Sequence, residues 1–212
     1  MINVEDQNEL FKLIASYLKK DISCIAIGGT AMMFSGYKNT TKDIDLVFQN
    51  NKDRDNFIDA IKELGYKEIS LIKIYDKKRL KSKTKPKIFT RGEERFDLFT
   101  KDVFGFKLEL NNNFIEKDDF IDKNELNIYI LPKEYLILLK SITNREKDYE
   151  DIETIIKIEK EINWELIINE AINQKNINSR ILIDLEETMQ KLKKITFIKK
   201  KYFNLIYVAQ TK

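Results

Sequence analysis

The 212-residue sequence contains no histidine. Catalysis by a Ser-His-Asp triad or a Cys-His pair is therefore excluded, as is a zinc or iron site with histidine ligands. The single cysteine, Cys24, cannot form an internal disulfide or a zinc cluster, and its apolar neighbours predict a small buried thiol. A metal ion bound to this chain would have oxygen ligands, for which Mg²⁺ and Mn²⁺ are the usual ions.

Other features are scarce as well. The chain has only six Gly and two Pro, which argues against a fibrous or disordered protein. The 38 basic and 35 acidic residues leave a net charge of +3, too little to predict nucleic-acid binding from bulk charge. No run of about 18 uncharged apolar residues is present, so no membrane span is expected. Residues 1–6 show no signal-peptide pattern, and we expect a cytoplasmic protein.

The hydrophobic pattern predicts a mixed first part, residues 1–130. The predicted elements are a helix at about 5–19, a strand at 23–27, a glycine turn followed by a short helix at 31–34, a strand at 44–48, a helix from Asn50 or Asn51 to Gly65, and strands at 69–74, 95–100, 104–110 and 126–130. Together these elements predict an α/β (α+β) domain with a small mixed sheet flanked by helices.

The second part, residues 131–212, has a helical pattern. Pro132 is typical of the first residue of a helix, and the apolar spacing predicts a helix at its start. Three more helices are predicted around 152–156, around 164–172 and at 181–192. The sequence thus predicts a C-terminal helical bundle after the mixed domain.

Two aspartates, Asp43 and Asp45, stand at the start of the strand that ends at Phe48. Alternate residues of a strand point to the same face, so both carboxylates are predicted to project together. Two adjacent like charges are costly unless a cation lies between them. The pair is therefore a candidate cation site, although short acidic pairs are also common on exposed strand ends.

A second motif, Gly28-Gly29-Thr30, joins the predicted strand at 23–27 to a short helix. Glycines at this point let the backbone approach a ligand closely and direct N–H groups toward an anion such as a triphosphate. Thr30 adds a hydroxyl donor. The motif is neither a Walker A loop nor a Rossmann fingerprint, and by itself it is equally typical of a plain turn.

The two motifs together form a more specific pattern, because 13 residues separate Gly29 from Asp43. The run over residues 25–48 resembles the signature of the DNA polymerase β-like nucleotidyltransferase superfamily, in which a Gly-[Gly/Ser] turn precedes a D-x-D strand. It looks most like the branch of AbiEii/MenT-type toxins. The resemblance implies a nucleotidyltransferase fold and transfer of a nucleoside monophosphate from a nucleoside triphosphate. It also implies two Mg²⁺ (or Mn²⁺) ions held by Asp43 and Asp45.

The same resemblance implies a third carboxylate on a neighbouring strand. Asp97 is the best candidate, because it is an acid flanked by apolar residues within the strand at 95–100. An ion pair with Arg95 or Lys107 is the structural alternative for Asp97. Glu109 is the second candidate for the same role.

The helical part contributes a predicted phosphate contact. In the similar toxins a helix lysine is followed by an R-x-K-D-x-x-D stretch. By this resemblance Lys140 meets phosphate, and Asp148 either lies near the site or orients a basic residue. The alternative is a set of surface ion pairs at helical spacing. Lys42, beside the acid pair, is a further candidate for nucleotide binding. Residues 77–87 are mostly basic and indicate either a solvated loop or a nucleic-acid contact.

The acceptor is left open by the sequence. Resemblance to the toxins favours RNA, above all a tRNA end, while a partner protein or a small molecule are alternatives. A non-catalytic nucleotide-binding protein is the competing class, and the intact acids Asp43, Asp45 and Asp97 argue against it.

Overall fold

The computed structural model describes residues 1–70, 85–110, 114 and 117–211. The chain divides into two compact units, Met1–Leu131 and Pro132–Lys212. The first unit combines strands with helices, and the second is helical in its described residues. Residues 71–74 of one predicted strand, and residues 77–84 of the basic stretch, lie outside the described residues.

The first unit contains eleven strands and three helices among its described residues. In chain order they are β1 Ile2–Asn3, α1 Val4–Tyr17, β2 Ile22–Ala26, α2 Gly28–Phe34, β3 Thr40–Thr41, β4 Ile44–Phe48, α3 Asn51–Glu63, β5 Lys67–Ile69, β6 Lys87–Arg91, β7 Glu94–Thr100, β8 Asp102–Val103, β9 Phe106–Lys107, β10 Lys117–Ile121 and β11 Glu125–Ile130.

The main sheet has the strand order β10-β11-β2-β4-β7-β6-β5, with β8 and β9 attached beside β7. Strand β2 is parallel to β11, and β4 is parallel to β7, whereas the other neighbours in the sheet are antiparallel. Helix α1 packs on β10, β11 and α3, and α3 also contacts β2, β4 and β7. The predicted mixed sheet flanked by helices is confirmed.

The central strands lie together because their side chains are almost entirely apolar. In β4, Leu46, Val47 and Phe48 have no exposed surface, and in β2 the same is true of Cys24. Burial of apolar side chains on both faces is the main force that holds a central strand in place. Burial also raises the pKa of the Cys24 thiol, so Cys24 is the inert core cysteine that its neighbours predicted.

Local capping explains where the two longer helices of the first unit begin. The Asn3 side chain accepts a hydrogen bond from the Asp6 N–H at the start of α1. At the start of α3, Asn50 accepts one from the Asp53 N–H in the same way. Both contacts satisfy an N–H group that a helix N-terminus leaves without an internal partner.

Several strands differ from the prediction. The continuous strand predicted at 104–110 is wrong, because Phe104 and Gly105 have φ values of 55° and 88° and form the turn between β8 and β9. The Asp102 carboxylate accepts a hydrogen bond from the Gly105 N–H and stabilises this turn. Strands β6 and β10 were not predicted, since their sequences KIFTR and KDDFI carry little apolar alternation.

The second unit contains five helices among its described residues: α4 Lys133–Thr143, α5 Glu146–Ile158, α6 Trp164–Gln174, α7 Ile181–Leu192 and α8 Lys200–Gln210. Pro132 is the N-cap residue of α4. The prediction that it is the first residue of the helix is therefore wrong by one position. Helix α8 was not predicted. The described helices include none that is both long enough and apolar enough to span a bilayer.

Candidate active site

Two of the predicted acids face each other across neighbouring strands. Strands β4 and β7 are parallel, and their register places Asp45 opposite Asp97. Directly opposed residues of paired strands project to the same face, so these two carboxylates lie side by side. Asp97 is only 2% exposed, and Asp43 stands immediately before β4, on the same face as Asp45. The sheet thereby gathers the three acids that the sequence singled out.

Arg95 connects two of these acids. Its guanidinium donates to both carboxylate oxygens of Asp97, with Nε 2.7 Å from Oδ1 and Nη2 2.6 Å from Oδ2. A third nitrogen, Nη1, lies 3.6 Å from Oδ2 of Asp43. The sequence offered an ion pair with Arg95 as the structural alternative for Asp97, and this ion pair is present. Residues i and i+2 of a strand share a face, so the Arg-x-Asp spacing is the sequence signal for this pair.

The glycine turn lies directly against Asp45. Gly28 begins α2 with a φ of 57°, a conformation that favours glycine. A Cβ atom at Gly28 would stand 2.5 Å from Oδ2 of Asp45, so this position has no room for a side chain. The Ile27 N–H donates to the Asp45 carbonyl at 3.1 Å. The turn and the acid pair therefore form one structural unit, as their spacing predicted.

Thr30 and Thr41 fix the glycine turn and the acid strand relative to each other. Thr30 is fully buried, and its hydroxyl accepts a hydrogen bond of 2.9 Å from the Asp45 N–H, so it positions the acid strand. A Cβ atom at Gly29 would collide with the hydroxyl of Thr41. That hydroxyl donates to the Asp43 carbonyl at 3.2 Å. No local sequence signal marks Thr41, because its contact with Gly29 depends on the packing of α2 against β3.

The other candidates of the first unit lie elsewhere. Glu109 is exposed, follows β9, and pairs with Lys107 at 2.7 Å, which lowers the pKa of its carboxyl. It therefore does not stand opposite Asp45, and the geometry favours Asp97 as the third acid. Lys42 is exposed and lines a cavity of about 610 Å³ together with Arg95 and Ile44. The lining also includes residues of helix α1, but Asp43, Asp45 and Asp97 are not part of it.

Lys140 and Asp148 form a separate cluster within the second unit. The Nζ atom of Lys140 lies 2.6 Å from Asp151 and 3.7 Å from Asp148, and all three side chains are almost fully buried. Arg145 donates two hydrogen bonds to Asp148, and the Thr143 hydroxyl donates a third. The sequence offered surface ion pairs as the alternative to a phosphate contact. The structure instead has a buried network of ion pairs, which joins α4 to α5.

The charges of this network balance one another. Burial raises the pKa of Asp148, but the hydrogen bonds from Arg145 and Thr143 and the charges of Lys140 and Arg145 outweigh it, and the pKa lies below its ordinary value. Asp148 is therefore an ionised acceptor at neutral pH. In this arrangement Lys140 neutralises buried carboxylates and does not present its ammonium group to solvent.

The donor set of the first unit can be compared with the needs of a divalent cation. Within the part of the chain that the structure describes, no three Asp, Glu, Cys or His side chains stand as a ready-made metal-binding group. The chemistry of the acids nevertheless fits, because carboxylate oxygens are the ligands that Mg²⁺ prefers. The Arg95 guanidinium contacts Asp43 and Asp97 through two different nitrogens, so these two carboxylates already share one positive charge.

A mixed sheet with acids on two adjacent parallel strands, beside a glycine turn, is the arrangement of a nucleotidyltransferase fold. The chain belongs to a family described as nucleotidyltransferases of unknown function (DUF6036), whose model matches residues 5–203. No curated protein matches the chain. The family supports the general nucleotidyltransferase class. The AbiEii/MenT-type branch stays a prediction.

Proposed function

We propose that this protein transfers a nucleoside monophosphate from a nucleoside triphosphate to a hydroxyl group, with Asp43, Asp45 and Asp97 around the reacting phosphate. The observation that carries the proposal is the register of β4 and β7, which sets Asp45 beside Asp97 and next to the turn at Gly28. Three carboxylates in one small area carry more negative charge than the one guanidinium of Arg95 neutralises, which favours a further cation. Membership of the family supports the same class of reaction.

The proposed roles follow from the positions of the acids. Two divalent ions, Mg²⁺ or Mn²⁺, would be held by Asp43, Asp45 and Asp97 and would supply charge neutralisation at the phosphates. Asp97 accepts the proton of the attacking hydroxyl, a task that requires no histidine. The acceptor oxygen forms a bond to the α-phosphorus while the bond to the bridging oxygen breaks, and pyrophosphate leaves.

The nucleotide is proposed to lie over the glycine turn. Gly28 and Gly29 let the turn pack closely against Asp45 and Thr41, so the backbone of the turn and the acids stand side by side. Lys42, exposed two residues before β4, is proposed to contact phosphate or acceptor. Thr30 acts in this scheme through the Asp45 backbone.

The proposed acceptor is RNA, above all the end of a tRNA, by resemblance to the toxin branch and by the basic residues at 77–87. In that case the protein acts in the cytoplasm as a toxin of a toxin-antitoxin pair. A partner protein or a small molecule with a hydroxyl group uses the same chemistry at the α-phosphorus.

A labelling experiment tests the reaction and identifies the acceptor. The protein is incubated with Mg²⁺, total cell extract and each nucleoside triphosphate, labelled either at the α- or at the γ-phosphorus. The proposal expects α-label to enter RNA, with release of pyrophosphate and no transfer of γ-label. Entry into protein or a small molecule would change the acceptor alone. Transfer of γ-label, or of no label at all, would contradict the reaction.

The space beside Gly28 gives a sharp variant. Gly28→Ala is expected to lower nucleotidyl transfer by about 100-fold, because the new methyl group collides with Asp45 and shifts its carboxylate by about an ångström. The matched control is Gly36→Ala. Gly36 also has a positive φ, 74°, but a Cβ atom there meets nothing within 4 Å.

Both variants place an alanine in the left-handed region, which costs about 1–2 kcal/mol. The loss of unfolding free energy relative to the wild type measures this shared cost. Steady-state kcat and KM values for the two variants then isolate the contact with Asp45. Equal activity of the two variants would show that the position of the Asp45 carboxylate does not matter for the reaction.

A further inference from the structure

Arg95 has a position that the proposed reaction does not explain. The guanidinium binds both oxygens of Asp97 and also reaches Asp43, so it uses the oxygen atoms that a divalent cation would need. As long as Arg95 holds Asp97, this acid can serve neither as a metal ligand nor as a general base.

We infer that Arg95 is an internal cation that competes with the divalent ion for Asp97, so that ion binding requires the guanidinium to leave this carboxylate. The role of this exchange in catalysis rests on the proposed function, whereas the exchange itself is argued from the geometry of Arg95. In the ion-free protein Arg95 neutralises an almost fully buried acid, which otherwise would be costly. In the loaded protein the ions take over that task.

The structure offers Arg95 a place to move. The arginine lines the cavity of about 610 Å³, whose wall also includes the carboxylates of Asp6 and Glu9 on α1. Both of these residues are exposed, so a guanidinium that swings into the cavity remains in contact with water and close to acids. The Arg95 side chain is already 20% exposed and needs no unfolding to turn away from Asp97.

The exchange predicts an unusual effect of mutation on ion affinity. If the guanidinium occupies Asp97 for nine-tenths of the time or more, the apparent affinity for the ion is reduced about tenfold or more. Arg95→Gln is therefore expected to bind Mn²⁺ about tenfold more tightly than the wild type. Removal of an ordinary structural partner would have the opposite effect, because a misplaced Asp97 binds the ion less well.

Two further variants separate the exchange from simple charge repulsion. Arg95→Lys keeps the charge but cannot form two parallel hydrogen bonds to Asp97, so its Mn²⁺ affinity is expected to lie between those of the wild type and Arg95→Gln. Arg91→Gln is the control. Arg91 lies on the adjacent strand, lines the same cavity and pairs with Glu94 at 2.9 Å, away from Asp97, and its loss is expected to leave Mn²⁺ affinity unchanged.

The affinity is measured on the full-length protein by titration of Mn²⁺ followed by electron paramagnetic resonance, which requires no turnover. Tighter binding in the order wild type, Arg95→Lys, Arg95→Gln supports the inference. Equal or weaker binding in both Arg95 variants, or no Mn²⁺ binding by any of the proteins, overturns it. If Arg95→Gln does not fold, Arg95→Lys still decides, since repulsion alone leaves its affinity at the wild-type value.

The result is separable from that of the labelling experiment. A protein that shows the predicted order of Mn²⁺ affinities but transfers no nucleotide keeps the cation exchange and loses the proposed reaction. A protein that transfers nucleotide with Mn²⁺ affinity independent of Arg95 keeps the reaction and loses the exchange.

Discussion

Asp45→Asn is expected to lower nucleotidyl transfer by about 10³-fold or more, because it removes the charge nearest the glycine turn without changing the size of the side chain. The backbone contacts of Asp45 do not involve its carboxylate. The hydrogen bond from its N–H to Thr30 and its pairing with β7 both persist in the asparagine variant. The loss is therefore expected in kcat, with the backbone of β4 kept in place.

The control for this variant is Asp59→Asn, a change of the same kind on helix α3. Asp59 pairs with Lys19 at the surface, where solvent screens the pair and a single ion pair contributes little to stability. It is expected to retain full activity in the α-label assay. Wild-type transfer by Asp45→Asn would show that Asp45 does not act at the reacting phosphate, whatever the outcome for Asp97.

The sequence predicted those parts of the site that depend on local geometry. The two-residue period of a strand placed Asp43 and Asp45 on one face, and the glycine turn followed a short apolar strand as expected. The helix cap was predicted at Asn50 or Asn51 for the same reason, since the contact that caps a helix spans only three residues, and Asn50 is the capping residue. Periodicity and capping are properties of a few neighbouring residues.

The remaining geometry depends on strand pairing over long distances in the sequence. Asp97 could be named as an acid in an apolar strand, but its position opposite Asp45 follows only from the parallel pairing of β4 with β7. The contact between Gly29 and Thr41 depends on packing in the same way. The strand prediction at 104–110 failed because apolar residues there alternate through a tight turn at Phe104, which hydrophobicity does not reveal.

Lys140 shows how a motif and its environment can point to different roles. Resemblance placed this lysine at the phosphates, whereas the structure buries it between two acids. A buried lysine that leaves its partners would expose both carboxylates to an apolar surrounding, which is costly. We therefore expect Lys140 to contribute mainly to the stability of the α4–α5 pair.

Asp151→Asn is expected to destabilise the second unit by about 3 kcal/mol, because it leaves the buried ammonium of Lys140 without its closest carboxylate. Asp148 remains 3.7 Å from Lys140 but is already bound by Arg145, so it compensates only in part. The measurement is a urea titration followed by the fluorescence of Trp164. This residue is the single tryptophan of the chain and is buried in the second unit.

Two comparisons decide between the structural and the phosphate role. Glu153→Gln, on the same helix, breaks an exposed pair with Lys157 and is expected to cost at most about 0.5 kcal/mol. Lys140→Met removes the ammonium group itself and with it the contact of 2.6 Å to Asp151. If the cluster is structural, Lys140→Met and Asp151→Asn lose stability to a similar extent and keep the wild-type KM for the nucleotide. If Lys140 binds phosphate, Lys140→Met raises that KM well beyond the value of Asp151→Asn, because the asparagine variant still carries the cation.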